Sequence, residues 1–139
     1  LNFPKIMTEN IAIITEAINA RANAQAPYSK FRVGAALLTS EGKIICGANV
    51  ESASYGLSCC AERIAIFKAL TEGYTNFSAL AVASPGGAAP CGACRQIIAE
   101  YAPKADIFLV DTDNPNSIHK TTISTLLPLQ FTANNLPSN

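Results

Sequence analysis

The sequence predicts an α/β fold in a single domain. Helical and strand-like patterns alternate along the chain in the order helix, strand, strand, helix, strand, helix, strand. Helices that cross over between strands make the later strands parallel. The chain has 139 residues, of which 49% are hydrophobic and 14% are charged, a composition that supports one compact core. We expect one domain over residues 1–139, with frayed ends at about 1–7 and 133–139.

The N-terminal half predicts a helix followed by a strand hairpin. Isoleucines recur on one face of a helix over residues 8–24, and Pro27 marks the boundary after it. Residues 31–39 and 43–50 are rich in apolar and β-branched side chains, which is typical of strands. The turn "SEGK" joins them and favours a hairpin.

The C-terminal half predicts two further helix–strand pairs. The segment "CAERIAIFKAL", residues 60–70, has an apolar stripe at helical spacing and precedes a buried strand over 77–84. A third helix over 94–101 leads to a fourth strand over 107–110. The segment "TISTLLP" predicts a short helix or turn.

Charge and hydropathy exclude several partner classes. Ten Lys and Arg residues balance ten Asp and Glu residues, whereas binding along a phosphate backbone needs a basic patch. The run "IAII" is too short for a secretory or transmembrane segment. We therefore expect a cytoplasmic protein whose five cysteines bind a metal or pack rather than form disulfides.

Three cysteines have the spacing of a metal site. Cys60 belongs to the segment C-A-E, and Cys91 and Cys94 belong to P-C-G-A-C, and each segment lies where a loop leads into a predicted helix. Zinc prefers thiolate ligands, and a catalytic zinc keeps its fourth position open for water. The single histidine, His119, lies in a segment that predicts a polar turn without ligand spacing.

The residues beside Cys60 favour a catalytic site over a structural one. Glu62 is two residues away at the same helix start, where both side chains lean toward the helix N-terminus, so its carboxylate can move protons beside a bound water. Three thiolates leave zinc with a net negative charge, which opposes water activation. Two helix N-termini and Arg63 compensate for that charge, and Arg95 is a further candidate.

Interpretations other than a catalytic metal site also exist for these cysteines. A lone C-x-x-C is also typical of redox sites or fragments of structural zinc sites. A buried cysteine is more often an apolar filler, which is our interpretation of Cys46, inside a strand. We expect Cys59 to be a packing residue beside the ligand Cys60. The combination of C-A-E with P-C-x-x-C favours the catalytic interpretation.

These motifs resemble those of a known family. A ligand-x-Glu followed by P-C-x-x-C is the signature of zinc deaminases. With "APYSKFRVGAALLT", "GANVESASY", "CAERIAIFKAL", "PCGACRQ" and "LLP" followed by Phe131, the chain resembles the small homotetrameric cytidine deaminases with three cysteine ligands. The resemblance implies a three-layer α/β/α sandwich around a five-stranded mixed sheet. It also implies hydrolytic deamination of cytidine and deoxycytidine in pyrimidine salvage, in a homotetramer with active sites shared between subunits.

The resemblance also implies roles for individual residues. The zinc ligands are Cys60, Cys91 and Cys94, and Glu62 is the proton shuttle. Asn49 and Glu51 match a ribose-binding pair, and residues two apart in an extended segment do share a face. The remaining substrate-binding positions are Phe31, Ala53, Tyr55, Ala61 and Phe131, with Phe131 contributed by a neighbouring subunit and Tyr55 near a subunit boundary.

Two other functions remain open on the sequence alone. One is a non-enzymatic zinc module in which Cys59 or another group closes the tetrahedron. The other is a deaminase of the same superfamily that acts on a nucleotide, a nucleoside antibiotic or a polynucleotide base. The neutral charge argues against a polynucleotide, and the carboxylate of Glu51 near the sugar would repel a phosphate.

Overall fold

The fold is an α/β sandwich with one sheet between two helical layers. A computed structural model describes residues 3–137, with side chains described from Thr8 onward. The elements in chain order are α1 (Phe3–Ala20), β1 (Gly34–Thr39), β2 (Ile44–Ala48), α2 (Ala61–Thr71), β3 (Phe77–Ser84), α3 (Gly92–Tyr101), β4 (Asp106–Asp111), β5 (Ile118–Thr122) and α4 (Ile123–Leu126). Short 3-10 turns occur at Arg21–Asn23, Tyr55–Leu57 and Ala133–Asn135.

The sheet is mixed, as expected. Its strand order is β2-β1-β3-β4-β5. The β3–β4 pair is parallel, because α3 crosses over between these two strands, and the other three pairs are antiparallel. The three-layer α/β/α architecture around five strands is therefore confirmed.

Alternating residues of the central strands supply the two faces of the core. On β1, Ala35 and Leu37 pack on the side of α2 and α3, whereas Ala36 and Leu38 pack on the side of α1. The side facing α1 is rich in alanine, so that helix lies close to the sheet. Both helices that carry the C-A-E and P-C-G-A-C segments lie on the opposite side.

Gly47 of β2 fixes the position of the α2 N-terminus. A Cβ at this position would lie 2.6 Å from both the carbonyl oxygen of Ala61 and the backbone nitrogen of Ala65. Only a residue without a side chain lets the first turn of α2 approach the strand so closely. The start of α2, and with it Glu62, is therefore held against the sheet.

The structure differs from the sequence prediction at three places. The first helix begins at Phe3 and its α-helical part ends at Ala20, followed by a 3-10 turn. The strand β5 was missed because "IHKTT" is polar and mostly exposed, as suits the edge of a sheet. His119 consequently lies on β5, opposite Leu109, and not in a turn.

The expected frayed ends fall partly outside the described residues, since 1–2 and 138–139 are not described. Residues 3–7 are helical and 133–135 form a 3-10 turn. The assignment of 1–139 to one domain stays a prediction. Within residues 3–137, no helix combines the length and apolar character that crossing a bilayer requires.

Candidate active site

The first half of the site is the start of α2. Cys60 is the N-cap residue, with extended backbone angles (φ −71°, ψ 154°), so its side chain is directed away from the helix body. The preceding residue is fixed by two backbone hydrogen bonds: Cys59 N–H donates to Val50 O at 2.8 Å and Val50 N–H donates to Cys59 O at 3.0 Å. The chain therefore enters α2 from a segment anchored beside β2.

The second half is the start of α3. Cys91 is its N-cap residue, again with an extended backbone (φ −67°, ψ 171°), and Cys94 lies in the first turn. The Cys94 side chain is fully buried, whereas Cys91 is exposed. Two helix N-termini therefore present three thiols to one point.

The three sulfurs fit a zinc ion. The Sγ atoms of Cys60, Cys91 and Cys94 all lie within 4.8 Å of one another, and Cys60 Sγ lies 3.8 Å from Cys91 Sγ. Two thiolates at about 2.3 Å from a tetrahedral zinc are themselves separated by roughly 3.8 Å. The sulfur donor set and this spacing match zinc, and no other such cluster occurs in the part of the chain that the structure describes.

Positive charge surrounds the sulfurs. Arg63 Nη2 lies 3.6 Å from Cys60 Sγ, and the Arg63 Nε is buried with no partner among the described residues. Hydrogen bonds from Cys94 and then from Arg63 hold the pKa of Cys60 well below its usual range, despite burial. The two helix N-termini add roughly half a positive charge each.

Arg95 donates its hydrogen bonds to backbone carbonyl groups rather than to the sulfurs. Its Nε donates to Pro90 O at 2.8 Å and its Nη1 donates to Leu126 O at 2.8 Å. The guanidinium therefore ties the residue before Cys91 to the end of α4. We assign Arg95 a structural role in this loop.

Glu62 is buried beside the cluster, with 4% of its surface exposed. Burial raises the pKa of its carboxyl group above the usual glutamate value, and the charge of Cys60 acts in the same direction. A carboxyl group with a raised pKa accepts and releases a proton more evenly near neutral pH. This property suits a proton carrier.

A cavity of about 290 Å³ opens onto the sulfurs. Seven residues singled out from the sequence line it: Phe31, Asn49, Glu51, Cys60, Ala61, Glu62 and Cys91. Sequence reasoning missed the other six: Ser29, Val33, Val82, Ser84, Ala88 and Ala89. Ser84 is the last residue of a buried strand, at the carboxyl end where ligands of α/β folds bind, so its position did carry a signal.

Asn49 and Glu51 also line the cavity. The Asn49 Oδ1 accepts from Val33 N–H at 2.9 Å, and its Nδ2 donates to Phe31 O at 2.9 Å. Asn49 therefore fixes the segment that carries Phe31. The Glu51 carboxylate accepts from the amides of Tyr28 and Ser29, each at 3.1 Å, and from the Ser29 hydroxyl.

Three of the expected substrate-binding residues do not line this cavity. Ala53 is exposed on the loop after β2. Tyr55 is 77% exposed and its ring meets that of Tyr28 edge to face at a centroid distance of 6.0 Å. Phe131 is 59% exposed and lines a separate depression beside the end of α3. Within this one chain, the structure does not bring these three side chains to the sulfurs.

The other two cysteines stay outside the cluster. Cys59 is half-buried, and burial raises the pKa of its thiol. Cys46 packs at the margin of the core facing α1, and burial likewise raises the pKa of its thiol. Raised thiol pKa values mean neutral side chains near pH 7, as expected of packing residues.

Comparison with known proteins places this geometry in a family. The model of the cytidine and deoxycytidylate deaminase zinc-binding region matches residues 7–110. The chain belongs to this family. Membership explains why two helix starts bring together a sulfur triad and a buried glutamate, since these are the signature residues of zinc deaminases.

Individual relatives agree with that assignment. The chain is 49% identical over 126 residues to the cytidine deaminase of Halalkalibacterium halodurans, covering 89% of this chain and 95% of that protein. The crystal structure of cytidine deaminase from Burkholderia pseudomallei superposes with a TM-score of 0.82 at 47% identity, covering 86% of this chain and 97% of that one. Blasticidin-S deaminase of Bacillus cereus is 33% identical over 144 residues, covering 96% of this chain and 93% of that protein.

Proposed function

We propose that this chain catalyses the zinc-dependent hydrolysis of cytidine and deoxycytidine to uridine and deoxyuridine, with release of ammonia. The observation that carries the proposal is one cavity lined by Cys60 and Cys91 of the sulfur triad, by the buried carboxylate of Glu62, and by Asn49 and Glu51. A free nucleoside presents chemistry that matches both groups of residues. Its base carries the reacting amine and its sugar carries hydroxyl groups.

Cys60, Cys91 and Cys94 would hold the zinc, leaving its fourth position for water. When bound, zinc lowers the pKa of a coordinated water and so supplies a nucleophile at neutral pH. Arg63 and the N-termini of α2 and α3 offset the negative charge of three thiolates. Without that compensation, the thiolates would oppose deprotonation of the water.

Glu62 would carry the protons. Its buried carboxylate accepts a proton from the attacking water and delivers it to N3 of the base as the new C4–O bond forms. It then transfers the proton of the new C4 hydroxyl to the amino group, so that the C4–N bond breaks and ammonia leaves. One water is consumed, and the carboxylate returns to its starting state.

Phe31 and Asn49 would position the substrate together with Glu51. Phe31 borders the cavity beside the place for the base, and the Asn49 amide holds its backbone. The Glu51 carboxylate would accept a hydrogen bond from a sugar hydroxyl. Its negative charge would repel a phosphate on the sugar, which favours nucleosides over nucleotides and fits a role in cytoplasmic pyrimidine salvage.

We also propose a homotetramer in which subunits share active sites. Tyr55 and Phe131 are largely exposed, and Leu129 is 92% exposed, as expected of surfaces that pack against another copy. Tyr55 and Phe131, together with Ala53, would then contact substrate or its surroundings across or near an interface. Size-exclusion chromatography with light scattering, run beside an activity assay on a dilution series, tests this. A fully active monomer would contradict it.

An antibiotic nucleoside is the second candidate substrate, favoured by the 33% identity to a blasticidin-S deaminase. A spectrophotometric assay on cytidine, deoxycytidine, their monophosphates, adenosine and blasticidin S separates the candidates when zinc is measured in parallel. We expect turnover of the two cytosine nucleosides. A zinc-loaded protein that converts neither of them would overturn the proposed function.

A further inference from the structure

Glu51 is held by an unusually complete set of hydrogen bonds for a half-exposed carboxylate. One oxygen, Oε1, accepts from the backbone amides of Tyr28 and Ser29, each at 3.1 Å. The other oxygen, Oε2, accepts from the Ser29 hydroxyl. Neither oxygen is therefore free to rotate away from the loop over residues 28–31.

The Ser29 hydroxyl is itself oriented by a second contact. Phe31 N–H donates to Ser29 Oγ at 3.0 Å. Because Oγ accepts at that contact, its own proton is directed to Glu51. Ser29 also lines the cavity, as Phe31 does. Its hydroxyl therefore joins the segment that carries Phe31 to the carboxylate of Glu51.

Backbone hydrogen bonds hold the loop that contains Ser29 and the segment that contains Glu51 together without the Ser29 side chain. Glu51 N–H donates to Gln25 O and Gln25 N–H donates to Asn49 O, both at 2.8 Å. These bonds fix the Cα of Glu51 but leave its side-chain torsions open. The Ser29 hydroxyl is the side-chain group that donates a hydrogen bond to the Glu51 carboxylate and so restricts these torsions.

We propose that Ser29 is a positioning residue that sets the direction of the Glu51 carboxylate and thereby the selectivity for hydroxyl groups on the sugar. The proposal rests on the proposed function, in which Glu51 binds the sugar. Loss of the Ser29 hydroxyl leaves Oε2 without its partner and lets the carboxylate take other rotamers. A sugar hydroxyl that binds Glu51 then has to order the carboxylate side chain. Binding is therefore weaker for sugars that carry a 2′ or 3′ hydroxyl.

The test is a comparison of sugars across serine variants. Ser29→Ala is expected to raise KM for cytidine and deoxycytidine roughly tenfold, the size of one hydrogen bond to a charged group, with kcat changed little. The KM for 2′,3′-dideoxycytidine, which lacks the 2′ and 3′ hydroxyls and keeps only the 5′ hydroxyl, should stay within about twofold of the wild-type value. Ser29→Thr, which keeps the hydroxyl, should restore the wild-type pattern.

Controls separate positioning from folding. Ser40→Ala, in the exposed β1–β2 turn, is a matched substitution far from the cavity and should change no kinetic constant. Zinc content should be the same in all variants, and thermal unfolding should show that each of them is folded at the assay temperature. A Ser29→Ala protein whose KM rises equally for all three substrates, or whose KM is unchanged for all of them, overturns the proposal.

Binding of the products decides the proposal independently of turnover. Calorimetry on uridine and 2′,3′-dideoxyuridine should show that Ser29→Ala weakens only uridine. If the wild type deaminates no cytosine nucleoside but binds uridine, and Ser29→Ala weakens uridine binding alone, the proposed function fails and the role of Ser29 in sugar selection is upheld. If Ser29→Ala leaves uridine binding unchanged, the role of Ser29 fails while the deaminase function stands.

Discussion

Two groups of residues around the cavity are built in different ways. The first, which we call the metal end, comprises Cys60, Glu62 and Cys94, which project from the first turns of two helices; Glu62 and Cys94 are almost completely buried. The second, which we call the sugar end after its proposed role, comprises the loop residues around Ser29, Asn49 and Glu51, where Ser29 and Glu51 are held by hydrogen bonds between exposed or half-exposed groups. Core packing fixes the first end, whereas local hydrogen bonds fix the second.

This difference predicts a division of labour. Groups on helices that pack against the sheet cannot shift by an ångström without disturbing the core, so they suit bond-making and proton transfer. Loop groups can be adjusted at low cost and suit selection among substrates. Substitutions at the metal end should therefore act on metal content and kcat, and substitutions at the sugar end should act on KM.

The largest effect is expected from the adjacent cysteines. Cys60→Ala removes one of three sulfurs and should abolish both zinc binding and turnover. Cys59→Ala should leave both nearly intact, because Cys59 lies outside the sulfur cluster and contributes backbone hydrogen bonds to Val50. Zinc stoichiometry by atomic absorption and a cytidine assay measure the pair. Loss of zinc in Cys59→Ala would contradict the assignment of ligand and neighbour.

Glu62→Gln should separate the metal from the chemistry. The amide keeps the shape of the side chain but cannot carry a proton, so kcat should fall by about 10²-fold to 10⁴-fold or more while zinc is retained. The same assay and metal measurement apply. Turnover at the wild-type rate would remove Glu62 from the proton path.

How much of this could be predicted differs between the two ends. The spacing C-x-E and P-C-x-x-C predicts the metal end, because each segment lies at a helix start and neighbouring turns fix the relative positions of its residues. That the two segments meet depends on the sheet order, which neither segment encodes; the family resemblance implied a five-stranded mixed sheet and the shared ligand role of the three cysteines, but no strand order. At the sugar end, Asn49 and Glu51 share a face as predicted, but their bonds to the loop over residues 28–33 depend on long-range strand pairing. Ser29 was missed for that reason.

Arg95 tests whether the metal end depends on groups outside the cavity. Arg95→Met removes hydrogen bonds from a guanidinium to Pro90 O and Leu126 O, and should lower the free energy of unfolding by about 2 kcal/mol. Because Pro90 precedes Cys91, zinc should also dissociate faster. Urea unfolding and release of zinc to a chelator measure the two effects.

Gln96→Ala is the matched control for Arg95. Gln96 is the next residue of α3 and makes one neutral hydrogen bond, from its Nε2 to Phe131 O at 3.0 Å. Its loss should cost about 0.5–1.5 kcal/mol and leave zinc release unchanged. Equal zinc release from both variants would show that the loop before Cys91 does not depend on Arg95.

The smallest effect is expected from pH at the sugar end. Hydrogen bonds from the Ser29 hydroxyl and then from backbone amides hold the pKa of Glu51 below its usual range. A carboxyl group whose pKa is lower in the folded protein stabilises the folded state fully above its unfolded-state pKa. That stabilisation is lost as the pH falls through its folded-state pKa. Between about pH 7 and pH 5 Glu51 therefore stays ionised, and the ratio of the uridine inhibition constants of wild type and Glu51→Gln should change by less than about one third. Taking the ratio cancels the titration of Glu62, which lines the same cavity.

In Ser29→Ala the pKa of Glu51 should rise, so that binding of uridine weakens at a higher pH than in the wild type. Competition kinetics with uridine across this range measure both curves, and Glu51→Gln, which keeps Glu62 but cannot titrate at residue 51, gives the reference. A wild-type curve that bends relative to the Glu51→Gln curve within this range would show that the hydrogen bonds do not hold the carboxylate ionised.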